Sequence, residues 1–141
     1  GLVSGAIAGL VAVTPAAGFV NSQGAFIIGA VGGLACWFAV IWIKRWLKYD
    51  DSLDAFGIHG VGGLVGALLT GVFADASING VAAGASVLKQ AIGLVAVIAW
   101  SAIGTYAILW ICKLTTGLRV TSEEEREGLD VNSHGENAYN Q

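Results

Sequence analysis

The 141-residue chain is 55% hydrophobic with a mean hydropathy of +0.72, and only 12% of its residues are charged, about half the share usual in a soluble domain. That composition excludes an ordinary water-soluble domain and indicates a membrane protein. The net charge of −3 lends nothing to nucleic-acid binding, because five of the ten acids crowd into "SEEEREGLD" and leave the remainder slightly basic.

Charge is absent from residues 1–43, 55–74 and 90–112, gaps of 43, 20 and 23 residues. A helix needs about 20 apolar residues to cross a hydrocarbon core of ~30 Å, so the first gap holds two crossings and the others one each. The polar cluster "VNSQG" at 20–24 divides the long gap, and Pro15 ends or kinks the preceding helix near Thr14. The expected spans are about 1–19, 24–46, 54–74 and 87–112. They are helices because lipid offers the backbone no partner and no barrel-like alternation is present. The chain opens at Gly1 inside an apolar segment with no charged region before it, which reads as the C-terminal portion of something longer rather than as a signal peptide.

Basic residues orient the spans. Lys44, Arg45 and Lys48 occupy the second connection and Lys113, Arg119 and Arg126 follow the last span, against Lys89 alone near the other connections. The positive-inside rule therefore puts the second connection and the C-terminus in the cytoplasm. Trp42, Trp46, Tyr49 and Trp110 fall at the matching ends of their spans as an interfacial belt, whereas Trp37 and Trp100 lie deeper and are expected to pack. Small residues recur at four-residue spacing as Gly1, Gly5 and Gly9, as Gly29 and Gly33, and as Gly62 and Gly66. Such rows let helices approach closely in lipid. Cys36 and Cys112 fall inside spans and read as small apolar residues, with no disulfide expected.

From Thr121 the character changes to a polar tail, so the division is a membrane domain at 1–120 and a cytoplasmic tail at 121–141. Ser122 with Glu125 fits a capping box and Gly128 a helix end. No metal-ligand spacing surrounds His134, and no cofactor is expected.

His59 stands out in "DAFGIHGVGGLVGALLTG", residues 54–71, where no charge follows Asp54. Five residues of helix place it about 7.5 Å deeper than Asp54. Gly62, Gly63 and Gly66 lie one and two turns on, a face with almost no bulk that either accepts a helix or borders a narrow lumen. An unpartnered polar group in apolar surroundings costs a few kcal/mol. No partner lies at i±3 or i±4 within the span, so one must come from another helix, another subunit, water or a transported species. An ionisable group in a membrane span is a functional candidate by default. Nucleophile triads, HExxH and CxxC patterns are all missing from the sequence, so catalysis is not the expected reading. A neutral imidazole donates one hydrogen bond and accepts one, which suits a small polar solute or a proton.

The stretches "DAFGIHGVGGLVGALLTGVFA", "SGAIAGLVAVTPAAGFV" at 4–20 and "GLDVNSHGENAY" at 128–139 resemble, in order, hallmark segments of the ammonium transporter family, the Amt/Mep/Rh proteins, in its bacterial Amt branch. The resemblance implies an all-α membrane fold in which this chain supplies the last four of eleven transmembrane helices, plus the tail. It also implies a homotrimer with one pore per subunit, carrying ammonium or ammonia across the cell membrane. By resemblance His59 is one of two pore histidines that hydrogen-bond each other, Asp54 is the family aspartate before it, and Ser4 is a serine of the cytoplasmic vestibule. Gly128, Asp130, His134 and Gly135 match the tail motif, which implies contact beneath a neighbouring subunit and regulation by a P-II-type signalling protein. The first histidine, the phenylalanine gate and the outer recruitment site have no counterpart here and are expected upstream.

The rival reading is a membrane-embedded ammonium sensor that signals to a soluble partner. It is disfavoured because only about twenty residues follow the membrane. A Rhesus-type gas channel is disfavoured by the bacterial-looking tail.

Overall fold

The structure, a computed structural model, describes residues 1–136, and all regular structure among them is helical. The end of the tail motif, Asn137 to Tyr139, lies outside the described residues. Two compact units form, Gly1–Ile98 and Ala99–Gln141.

In the first unit, helix α1 spans Leu2–Val13 and tightens into a 3₁₀ turn, Thr14–Ala16. Pro15 explains the change, since it has no N–H to donate to Val11 and its ring crowds the preceding turn. The expected first span of 1–19 is thus realised as a shorter helix. Leu2–Ala16 falls under the length of a full crossing, reaching only about 22 Å. Helix α2 runs Ser22–Leu47 and helix α3 Phe56–Phe73; helix α4, Val87–Thr115, begins in the first unit and continues into the second, and all three are long and apolar enough to cross a membrane. Asn21 starts α2 by accepting the Gly24 N–H at 2.9 Å, satisfying one of the donors every helix start leaves open.

Helices α1, α2 and α3 meet where side chains all but vanish. Ala12, fully buried, sits between Gly32 and Gly66: a methyl on Gly32 would lie 2.1 Å from Ala12 Cβ, and one on Gly66 1.9 Å from Ala12 O. Nearby, Gly9 and Gly29 face each other, and a methyl on Gly62 would meet Cys36 Sγ at 3.0 Å. Ala12, Ala16 and Ile28 make the core, with Val13, Val20, Leu69 and Phe73 against it. Thr70 is buried in α3 with its hydroxyl turned back on Gly66 O at 2.8 Å, which satisfies that polar group. The small-residue rows therefore split. Gly9, Gly29, Gly62 and Gly66 serve close packing, while a methyl added at Gly1 or Gly5 would meet nothing within 4 Å.

At the end of α3, Asp75 ties two connections together. Its N–H donates to Phe19 O at 2.8 Å, and its carboxylate accepts from the Ser77 hydroxyl and N–H and from Asn21 Nδ2. The Ser77 hydroxyl, then its N–H, hold the Asp75 carboxyl below its usual value. A depressed carboxyl contributes stability that is present above its unfolded pKa and lost as pH falls through the folded one. The melting temperature of the wild type is accordingly expected to fall more steeply below about pH 4 than that of Asp75→Asn. Parallel curves for the two proteins would contradict this role.

Both α2 and α3 contain a π turn, at Ala39–Ile43 and Phe56–Gly60. The turns come together at Gly57, where an added methyl would lie 2.7 Å from Val40 Cγ2. Tyr49 covers the same end edge-on to Phe56, with ring centroids 5.6 Å apart. Trp37, expected to pack, is instead 57% exposed.

In the second unit, Trp100 is likewise 80% exposed, on a helix with no buried residue. Helix α5 is Ser122–Glu127. The capping box lies one residue earlier than expected: Thr121, not Ser122, is the cap, paired reciprocally with Glu124. Thr121 alone has the extended backbone that a cap needs. Its hydroxyl and N–H hold the Glu124 carboxyl below its usual value. Gly128 ends the helix at φ +100°.

Candidate functional site

The start of α3 is organised by a residue that the sequence reading passed over. The Asp51 carboxylate accepts the N–H groups of Ala55, Phe56 and Gly57 at 2.8, 3.0 and 3.4 Å, placing negative charge where the helix dipole is positive. Asp54 takes the left-handed conformation at φ +56°, a backbone state that aspartate tolerates better than most residues. This turns its carboxylate toward α2, where Lys44 Nζ meets it at 2.7 Å and also donates to Asp51 O. One lysine thus ties α2 to Asp51 and Asp54 ahead of α3.

The ion pair is 28% and 32% exposed at its two side chains, so solvent screens part of its strength. Lys44→Met keeps the apolar stem and removes the charge. It is expected to lower the melting temperature modestly and to weaken its dependence on salt. An unchanged salt response would contradict that.

Ser4 from α1 and Asp54 line one cavity of about 360 Å³, together with Cys36, Trp37, Val40 and Ile58. Two of the expected site residues therefore share a space that is mostly apolar with a carboxylate at its edge. His59 is not among the cavity's lining residues. It projects from the π turn, exposed, and makes no hydrogen bond or ion pair to another described residue. The glycines near it divide: Gly62 and Gly66 are buried against α1 and α2, whereas a methyl added at Gly63 would meet nothing within 4 Å. The strip thus accepts helices along its inner edge and leaves the His59 side uncovered.

Cys36 was expected as a small apolar residue, and it is buried. It also carries a polar contact, its thiol donating to Ile58 O at 3.4 Å. Nothing in the spacing of Cys36 could reveal that bond, which depends on the π turn. For Asp51 a signal did exist, since an aspartate a few residues before an apolar run is a helix-start pattern.

The four tail residues lie in the second unit. Gly128 and Gly135, at φ +100° and +66°, bracket a π turn over Asp130–His134, and Asp130 O accepts the N–H groups of Gly135 and Glu136. Asp130 and His134 are both exposed.

Compared with known proteins, residues 1–139 match the family model described as the Ammonium Transporter Family. This chain belongs to the ammonium transporter family. It is 52% identical to an ammonium transporter of Aquifex aeolicus, the match covering 99% of this chain and 34% of that protein. It is 47% identical to an ammonium transporter of Bacillus subtilis, covering 99% and 36% respectively. The chain thus spans about a third of the length of these curated relatives. Among solved structures, Mep2 of Saccharomyces cerevisiae superposes with a TM-score of 0.76 at 38% identity, over 86% of this chain and 30% of that one. Mep2 of Candida albicans gives 0.75 at 37%, over 88% and 30%. The helical arrangement is that of part of an ammonium transporter, and the chain is a membrane protein.

Proposed function

We propose that this chain forms part of a pore moving ammonium or ammonia across the cell membrane, with Ser4, Asp54 and His59 on the path. The observation that carries the reading is the imidazole of His59, which is exposed and without a hydrogen-bond partner among the described residues although it sits in a helix long enough to cross the membrane. A polar group at that depth is stable only with a partner. The second pore histidine implied by family membership supplies one, and the transported solute another.

The chemistry favours a neutral species in the narrow part. Stripping water from an ion in a low-dielectric passage costs up to tens of kcal/mol in the Born limit, whereas ammonia needs only hydrogen-bond partners, which an imidazole provides. Residues 1–120 form the membrane domain in this reading and 121–141 the cytoplasmic tail, oriented by the six basic residues on one side. The whole protein is a homotrimer in the cell membrane. Its tail, through Gly128, Asp130, His134 and Gly135, answers to a P-II-type signalling protein. Methylammonium uptake by the full-length protein with His59→Ala tests the reading. Altered uptake with assembly intact supports it, and unchanged uptake refutes it.

A further inference from the structure

The π turn Phe56–Gly60 leaves its carbonyls irregularly paired. Val61 N–H is shared between Phe56 O, the bond across the π turn, and Ile58 O. Ile58 O receives a second donor from outside the helix, the thiol of fully buried Cys36 at 3.4 Å. The peptide so held is the one that joins Ile58 to His59. On the adjoining face Gly57 lets the turn seat against Val40, where a methyl would come within 2.7 Å of Cγ2. Gly62 keeps the next turn close enough for Cys36 Sγ to be 3.0 Å from any added methyl. The turn is therefore held against α2 at Gly57 and at Ile58, with Gly62 packed on Cys36 just beyond it, and single π turns inside α-helices occur frequently at functional sites.

We infer that Cys36 is a positioning residue for His59: its thiol fixes the carbonyl of Ile58 and with it the direction in which the imidazole leaves the helix. The inference rests on the pore reading of His59. A thiol suits the place because it is a weak donor on a small, apolar body, so it can be buried among glycines and still reach across 3.4 Å. Serine keeps a donor at the position and alanine removes it.

The test compares Cys36→Ala, Cys36→Ser and His59→Ala in the full-length protein, by methylammonium uptake and by amide hydrogen exchange on the purified protein. Cys36→Ala is expected to reduce maximal uptake about three- to fivefold and to raise exchange within 56–61 only, with Cys36→Ser restoring both toward wild type. Equal loss in the alanine and serine variants, exchange raised throughout α2 and α3, or no change in uptake would each overturn the positioning role. If His59→Ala leaves uptake unchanged, the pore reading itself falls. If His59→Ala alters uptake while Cys36→Ala does not, only the role of Cys36 falls.

Discussion

Gly66→Leu in the full-length protein is expected to abolish recovery of folded protein from the membrane, while Gly63→Ala on the same helix is recovered at wild-type yield. The contrast comes from what each position faces. A first carbon on Gly66 would lie 1.9 Å from Ala12 O and 2.8 Å from Ala12 C, and these are backbone atoms that no rotamer change can move. Helices α1 and α3 must separate by more than an ångström to admit it. That separation also opens the packing of Ile28 and Ala16 and the close approach of Gly32 to Ala12. Overpacking a core by a methylene or two costs about 1–3 kcal/mol when side chains can adjust, and here the obstruction is a carbonyl. Gly32 makes the complementary case, because its methyl would strike Ala12 Cβ at 2.1 Å. Gly32→Ala is therefore expected to be rescued in part by Ala12→Gly, whereas Gly66→Ala is not. Equal rescue of both, measured as folded yield by size-exclusion chromatography in detergent, would contradict a backbone-limited crossing.

The helices were legible in the sequence because charge gaps, Pro15 and the polar cluster at 20–24 act locally and leave their mark in composition. Family membership was legible too, carried by three separated stretches that run in one order. The close crossing was half legible: Gly62 and Gly66 announced a small face, but only the fold decides that Ala12 fills it and that Gly63, one residue away, is open. What sequence reasoning missed depends on departures from the ideal helix. The two π turns are invisible to a 3.6-residue periodicity, and with them the contact of Cys36 with Ile58 and the seating of Gly57 on Val40. The Lys44 to Asp54 pair joins residues ten positions apart across a connection, and it forms because Asp54 adopts a positive φ that no pattern predicts. The one-residue error at the capping box has a similar origin. Thr121 and Ser122 both suit a cap by type, and the backbone alone chose between them.

His59→Ala in the full-length protein is expected to cut methylammonium uptake by tenfold or more while the oligomer, judged by its elution volume, stays intact. The scaffold supports that separation of effects: the side chain is exposed and bonds to no described residue, so its removal leaves the crossing at Ala12, the Asp51 cap and the Lys44 bridge untouched. The size of the loss also reports on the charge of the species that the imidazole meets. One hydrogen bond between neutral partners is worth about 0.5–1.5 kcal/mol net and one to a charged group about 1.5–3 kcal/mol, which separates losses near tenfold from losses near a hundredfold. A loss near tenfold with no current in proteoliposomes fits a neutral solute beside His59 and no net movement of charge. A loss nearer a hundredfold with current that disappears alongside uptake places a proton or a cation at the same imidazole. Loss of the oligomer together with uptake would instead make His59 a packing group between helices, and the path would have to be sought at Ser4 and Asp54 alone.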